Sequence, residues 1–107
     1  MVWDAPITSP KRNDKWRAGQ QYMVKWETTV AGMKIPPKTP GTITLGYRQG
    51  SSMNEHLQWS LASGFDLSTG HVLVTLPKDL ETRKRYIIVL FGDSGNASEE
   101  FTIVGTK

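Results

Sequence analysis

Hydrophobic and polar residues alternate along much of this chain, in short runs that glycines and prolines separate. The clearest run is 20–28, where Tyr22, Val24 and Trp26 fall on one face and mostly polar residues fall on the other. A period of two places successive side chains on opposite faces of an extended strand. This run therefore predicts a β-strand with one face in a core.

Runs of this kind recur at short spacing from one end of the chain to the other. They predict strands at residues 3–8, 20–28, 42–48, 57–61, 71–76, 85–91 and 99–104. No segment sustains the 3.6-residue period of an amphipathic helix. Residues 30–40 carry prolines at 36, 37 and 40, which predicts an irregular loop because proline has no N–H to donate to a ladder. Many short strands predict a single all-β domain over residues 1–107, an immunoglobulin-like or fibronectin-III-like β-sandwich of about seven strands.

Tyr86 opens the longest apolar run, residues 86–91. In immunoglobulin-type sandwiches, a tyrosine near the start of the sixth strand hydrogen-bonds back to the preceding corner while its ring lies in the core. Tyr86 stands at that position in the predicted strand order. An ordinary core tyrosine would have nearly the same consequence for the fold.

Composition and charge exclude several classes of function. The 107 residues include no cysteine, which excludes disulfides, thiolate chemistry and cysteine-ligated zinc. No apolar run approaches the roughly 18 residues that span a bilayer, so no membrane span is predicted. The net charge is +3, and basic residues form two clusters, at residues 11–17 and 83–85. Such an excess is typical of a solvated surface, and no nucleic-acid partner is predicted.

The order of several short motifs resembles a known family. They are Ile7-Thr8-Ser9-Pro10, Trp16-x-x-Gly19, Val24-Lys25-Trp26, Leu61-Ala62, Gly70, Pro77, Tyr86-Ile87-Ile88 and Ser98-Glu99-Glu100-Phe101-Thr102-Ile103. This order is similar to the N-terminal domain of the fungal yeast-cell-wall-synthesis family, the Ser/Thr-rich GPI-anchored membrane proteins linked to β-1,6-glucan assembly. The resemblance runs from about residue 7 to residue 103. It implies a secreted, cell-wall-associated immunoglobulin-like domain with no catalytic residues assigned.

The sequence departs from that family in two respects, and the second bears on localisation. His71-Val72-Leu73 stands where members tend to have Tyr-x-Trp. The Ser/Thr-rich stalk and GPI signal of many members are also missing, so a freely secreted, single-domain member without an anchor is expected. Residues 1–4 have neither the basic nor the apolar region of a signal peptide. The expected location is therefore secreted or cell wall, with the signal peptide absent from this sequence.

Tryptophan is abundant, and two of the four tryptophans have charged neighbours. Trp3 precedes an aspartate, and Trp16 lies between Lys15 and Arg17. Exposed rings stack on sugar faces while polar neighbours bind the hydroxyls. Trp3, Trp16 and Arg17 are therefore the candidate ligand-binding residues. The alternative is that both rings cap an end of the sandwich; Trp26 and Trp59, which share strand faces with apolar residues, are expected in the core.

A second candidate surface lies on the apolar strand 85–91. If Tyr86, Ile88 and Leu90 face the core, the residues between them face outward. The candidate interface residues are Ile87, Val89, Phe91 and Val104. An exposed apolar sheet face suggests an interface, and a second copy across a two-fold axis would suit it. Alternatively, the N-terminal strand or the 30–40 loop covers this face.

No catalytic constellation can be assembled from this sequence. His56 and His71 lack metal-ligand spacing, and the carboxylates fall mostly in turns or on polar strand faces. No catalytic residue, metal or cofactor is predicted. Asn96 begins an Asn-Ala-Ser sequon in an expected hairpin loop, and is a candidate glycosylation site.

These observations together predict a secreted, non-catalytic module of the cell wall rather than an enzyme. Its expected partner is wall β-glucan or another protein. The alternatives are a structural, self-associating homodimer and a lectin-like immunomodulatory effector that binds no glucan.

Overall fold

The computed structural model describes residues 4–49, 55–92 and 95–106, and their regular structure is almost entirely extended. The strands are β1 (Ile7–Ser9), β2 (Lys15–Arg17), β3 (Gln21–Trp26), β4 (Thr29–Val30), β5 (Met33–Lys34), β6 (Pro40–Arg48), β7 (Glu55–Asp66), β8 (His71–Thr75), β9 (Arg83–Phe91), β10 (Gly95–Ala97) and β11 (Phe101–Val104). A 3₁₀ turn at Leu67–Thr69 lies between β7 and β8. Among the residues described, no helix has the length and apolar character to span a membrane.

The strands form two main sheets of different width. The narrow sheet has the order β1-β3-β8, and the wide sheet has the order β2-β11-β9-β6-β7, with β10 also paired to β9. All pairings in these sheets are antiparallel except that of β2 with β11. The predicted all-β, immunoglobulin-like sandwich is confirmed. Each of the seven predicted strands is present, with shifted ends.

The prediction of an irregular loop over residues 30–40 is wrong at its start and at its end, where Pro40 is the first residue of β6. At its start, β4 and β5 form a short hairpin. Ala31 and Gly32 connect them with positive φ angles of 52° and 80°. Two successive residues of positive φ make the kind of tight turn that suits the right-handed twist of a hairpin. The prolines at 36 and 37 lie after the hairpin, where no ladder needs their N–H.

The core lies between the inner faces of the two sheets. Val24 and Trp26 on β3 belong to one buried cluster with residues of β6 and β9. Both Val24 and Trp26 are less than 5% exposed. The indole Nε1–H of Trp26 donates to the carbonyl of Leu67 at 2.8 Å. The one polar atom of that ring is therefore satisfied inside the core.

Strand β9 contains an irregularity that divides its basic residues between two faces. Its register against β11 shifts between the Phe101–Tyr86 and Ile103–Arg83 pairs. The Arg83 guanidinium lies on the inner side, 3.9 Å from the centre of the Tyr47 ring. Arg85 lies on the outer side, where its guanidinium hydrogen-bonds to Glu100 at 3.1–3.2 Å. A β-bulge re-aims side chains in this way.

The predicted interaction of Tyr86 with the preceding corner is confirmed. Its hydroxyl donates to the carbonyl of Glu81 at 2.6 Å, while its ring is fully buried. Residues 76–82 precede β9, and we call them the 76–82 loop. The hydrogen bond from Tyr86 therefore joins this loop directly to the core.

The prediction of an exposed apolar face on β9 is wrong. Ile87 and Val89 are 0% and 3% exposed, and Phe91 and Val104 are half-buried. Both flanks of β9 are occupied, by β6 on one side and by β10 and β11 on the other. The Phe91 ring lies against Gly95, where a Cβ would come within 2.8 Å of it. The outer face of β9 is therefore buried within the single chain, without a second copy.

Candidate functional site

Apolar side chains on strand β7 are only partly covered. Strand β7 is an edge of the wide sheet. Ile43 and Leu45 on neighbouring β6 are 0% exposed, whereas Trp59, Leu61 and Ala62 on β7 are only partly buried. Side chains on β7 are therefore less covered than those on β6.

Strand β7 is irregular next to this tryptophan. Its register against β6 shifts three times, once between the Leu45–Trp59 and Gly46–Leu57 pairs. The extra residue at that shift is Gln58. In a regular strand, Gln58 and Trp59 would point to opposite faces, but both line the same cavity. The bulge is what brings the amide beside the indole.

That cavity has a volume of about 210 Å³ and lies between β7, the 76–82 loop and the start of β9. We call it the Trp59 groove. It is lined by Gln58, Trp59, Asp79, Glu81, Arg83 and Tyr86.

Aromatic rings form the floor of the Trp59 groove. The ring of Trp59 lies 6.4 Å from that of Tyr86 and 6.3 Å from that of Tyr47, both in tilted arrangements. Ring pairs at such separations attract one another and hold each other's orientation. The Trp59 ring is therefore fixed by two buried tyrosines on one side and borders the groove on another.

Charged groups form the walls. The Arg83 guanidinium donates to the Glu81 carboxylate at 2.9 Å and lies over the Tyr47 ring. These two contacts restrain a side chain that is otherwise among the most mobile in proteins. Burial raises the pKa of the Tyr86 phenol, although Arg83 partly opposes that effect. The hydroxyl therefore stays protonated at neutral pH and keeps donating to Glu81.

An aromatic ring beside an amide, two carboxylates and a guanidinium can bind a hydroxyl-rich molecule. The ring offers an apolar face to C–H groups, and the polar atoms offer donors and acceptors to hydroxyls. No group of three or more histidine, cysteine, aspartate or glutamate side chains that could hold a metal ion occurs within the described part of the chain.

Comparison with known proteins agrees with the fold. Residues 9–103 match the Kre9/KNH-like N-terminal Ig-like domain. The chain belongs to this family. No curated protein and no solved structure matches it. The family is related to the cell wall and is not a known catalytic one, which confirms the resemblance seen in the sequence.

In this Kre9/KNH-like domain, Trp16 is not the exposed platform that its charged neighbours suggested, and that prediction is wrong. It is 6% exposed, stacks parallel to Tyr22 at 4.5 Å and meets Phe101 edge-on at 4.9 Å. Lys15 and Arg17 are exposed because they lie on the opposite face of β2. Charges at i−1 and i+1 of a strand therefore indicate a buried residue between them.

The remaining predicted site residues lie apart from the Trp59 groove. Trp3 lies outside the described residues. Arg17 is exposed, and its backbone N–H donates to the Tyr22 hydroxyl at 2.8 Å. Asn96 is half-buried on β10, and its Nδ2 donates to the carbonyl of Ala5 at 2.7 Å. The nitrogen that would carry a glycan thus joins the N-terminal segment to β10; glycosylation there stays a prediction.

A larger, charged cavity of about 500 Å³ lies elsewhere on the domain. Glu100, one of its lining residues, receives hydrogen bonds from Arg85 and Arg48. Those hydrogen bonds, from Arg85 first, hold the pKa of Glu100 below its usual value, although partial burial opposes them. Because one carboxylate already binds both guanidiniums, we assign this cluster to the stability of the wide sheet.

Sequence analysis missed the Trp59 groove because it placed Trp59 in the core. Leu57, Trp59 and Leu61 share one face only if the strand is regular, and the bulge at Gln58 breaks that pattern. A partial signal was visible: Asp79, Glu81 and Arg83 form a charged cluster directly after Pro77. Nothing in the alternation indicates that this cluster faces Trp59.

Proposed function

We propose that this Kre9/KNH-like domain binds a glucan chain of the cell wall in the Trp59 groove and catalyses no reaction on it. The observation that carries the proposal is a half-buried tryptophan, fixed by two tyrosine rings, beside four polar side chains. The family's relation to the cell wall supports a wall polymer as the ligand.

The chemistry of the groove favours a neutral sugar over a charged one. A pyranose ring has apolar C–H faces that can pack on the indole of Trp59, and its hydroxyls both donate and accept hydrogen bonds. Two carboxylates and one guanidinium line the groove. Since Glu81 already pairs with Arg83, Asp79 adds a negative charge that disfavours an anionic polymer.

The experiment is a pull-down of the protein on insoluble β-1,3-glucan, β-1,6-glucan and chitin over a series of salt concentrations. We expect retention on a glucan that persists at high salt, because stacking and hydrogen bonds to a neutral polymer are not screened. Elution by salt would instead indicate non-specific attraction by the net charge of +3.

The variant that tests the site is Trp59→Ala, with Phe65→Ala as its matched control. Both are half-buried aromatic residues on β7, but Phe65 packs on Trp26 and does not line the groove. We expect Trp59→Ala to weaken glucan binding by about tenfold or more, equivalent to 1.4 kcal/mol, and Phe65→Ala to leave it unchanged. Equal binding by both variants would refute the Trp59 groove as the site.

Failure of the wild-type protein to bind any of the three polymers would refute the proposed function. A protein partner would then be the better hypothesis. Its surface would not be the outer face of β9, which is buried. Met23 and Leu73, a cross-strand pair on the narrow sheet, are 37% and 54% exposed and would be the first place to examine.

A further inference from the structure

Two residues after the last strand are bonded to the loop that forms one wall of the Trp59 groove. The backbone N–H of Gly105 donates to the Thr82 hydroxyl at 2.8 Å. The backbone N–H of Thr106 donates to the carbonyl of Leu80 at 2.9 Å, and its hydroxyl donates to the carbonyl of Lys78 at 2.7 Å. Three hydrogen bonds therefore join a two-residue segment to alternate residues of the 76–82 loop.

Gly105 makes this contact possible because its backbone lies directly on the loop backbone. A Cβ at this position would overlap the Leu80 carbonyl and lie 2.6 Å from the Glu81 carbonyl carbon. Those are main-chain atoms, so no change of rotamer could relieve the overlap. Any larger residue at 105 must therefore displace the loop at Leu80 and Glu81.

The same part of the loop is bonded from the core side. The Glu81 carbonyl accepts the Tyr86 hydroxyl at 2.6 Å, and the Leu80 side chain is 1% exposed. The Glu81 backbone therefore lies between Tyr86 and Gly105. Its side chain, paired with Arg83, forms the groove wall together with Asp79.

We propose that Gly105 and Thr106 are positioning residues of the Trp59 groove. They hold the 76–82 loop where its two carboxylates face Trp59, and this assignment rests on the proposed function for the identity of the ligand. Both residues lie beyond residues 9–103, which match the family. The contact is therefore a feature of this chain that the family match does not include.

The test compares Gly105→Ala and Thr106→Val with the control Thr69→Val. Thr69, like Thr106, is an exposed threonine whose hydroxyl donates to a backbone carbonyl, but it lies in the 3₁₀ turn and not at the groove. Thr106→Val removes one hydroxyl without adding bulk, so it keeps the test open if Gly105→Ala fails to fold.

The first readout is independent of any ligand. Amide exchange at residues 78–82 and trypsin cleavage after Lys78 both report opening of the loop. We expect each to rise about fivefold in Thr106→Val, the amount that one lost hydrogen bond permits, and more in Gly105→Ala. The NMR signal of the Trp59 indole N–H should shift in both variants. Thr69→Val should change none of these.

The second readout is the Kd for a soluble glucan oligosaccharide. We expect about fivefold weaker binding by Thr106→Val, with exchange elsewhere in the domain unchanged. Unchanged loop exchange, an unchanged Trp59 signal and an unchanged Kd, with only the thermal midpoint lowered, would overturn the assignment. If the wild-type protein binds no glucan, the proposed function fails, but loop exchange and the Trp59 signal still decide whether these residues position the groove wall.

Discussion

The hydroxyl of Tyr86 connects the core of the sandwich to the wall of its candidate binding groove. The ring belongs to the buried cluster between the sheets, and the hydroxyl reaches the Glu81 carbonyl. This single bond both stabilises the corner and constrains the path of the 76–82 loop.

Tyr86→Phe is expected to destabilise the domain by about 0.5–1.5 kcal/mol, because it removes the hydrogen bond to the Glu81 carbonyl. Tyr22→Phe is the matched control: its ring is half-buried, and its hydroxyl accepts an exposed backbone N–H, that of Arg17. Urea unfolding monitored by fluorescence measures both. Equal losses from the two variants would contradict the role assigned to the Tyr86 hydroxyl.

Strand β9 contributes to two different sites through one irregularity. The bulge at residues 84–85 turns Arg83 and Tyr86 toward the Trp59 groove and Arg85 toward Glu100 on the outer face. A regular strand would place Arg83 and Arg85 on the same face. The bulge in β9 therefore directs side chains of one strand both to the groove and to the ion pairs on the outer face.

The Arg48–Glu100–Arg85 cluster gives the domain a stability that depends on pH. The pKa of Glu100 is lower in the folded protein than its usual value of 4.5, chiefly because Arg85 hydrogen-bonds to the carboxylate. A lowered pKa means that the stabilisation is complete above the unfolded value. It is lost as pH falls below about 4.5 and through the folded pKa.

We therefore expect the wild-type thermal midpoint to fall more steeply than that of Glu100→Gln between pH 5 and pH 3, in a window set by the usual value of 4.5. Glu99→Gln is the control, because Glu99 pairs with Arg12 at 3.4 Å in a more exposed position. Parallel curves for the wild type and Glu100→Gln would show that the cluster does not contribute in this way.

At the scale of the whole molecule, the candidate groove lies at an edge of the wide sheet. Strand β7 is an edge of the wide sheet, and the Trp59 groove opens beside it. The outer face of β9, in contrast, is buried within the single chain. The domain therefore offers an aromatic groove at one edge instead of an apolar sheet face.

Val89→Lys distinguishes a buried position from an oligomer interface. Because Val89 is 3% exposed, a lysine there would bury a charge, and we expect a loss of more than about 3 kcal/mol. Leu73→Lys, at a position 54% exposed, should change stability by less than about 0.5 kcal/mol. Calorimetry and light scattering measure the outcome. A Val89→Lys variant of wild-type stability and half the wild-type mass would instead restore the two-fold interface.

The sequence by itself determined the fold class, the seven main strands, the core face of β3 and the corner at Tyr86. Alternation and turn residues are local signals, and they decide strand faces because successive side chains point in opposite directions. The charged neighbours of Trp16 led to the wrong prediction that its ring is exposed. Strict alternation predicts that this ring is buried.

Only the tertiary structure decided where a ligand could bind and which apolar face was covered. A bulge moves a side chain across a sheet without a clear mark in the sequence, so Gln58 and Trp59 meet only after β7 pairs with β6. Likewise, Ile87 and Val89 alternate as outward residues, but contacts made in the folded domain bury them. Such contacts join residues far apart in the chain, and local patterning cannot specify them.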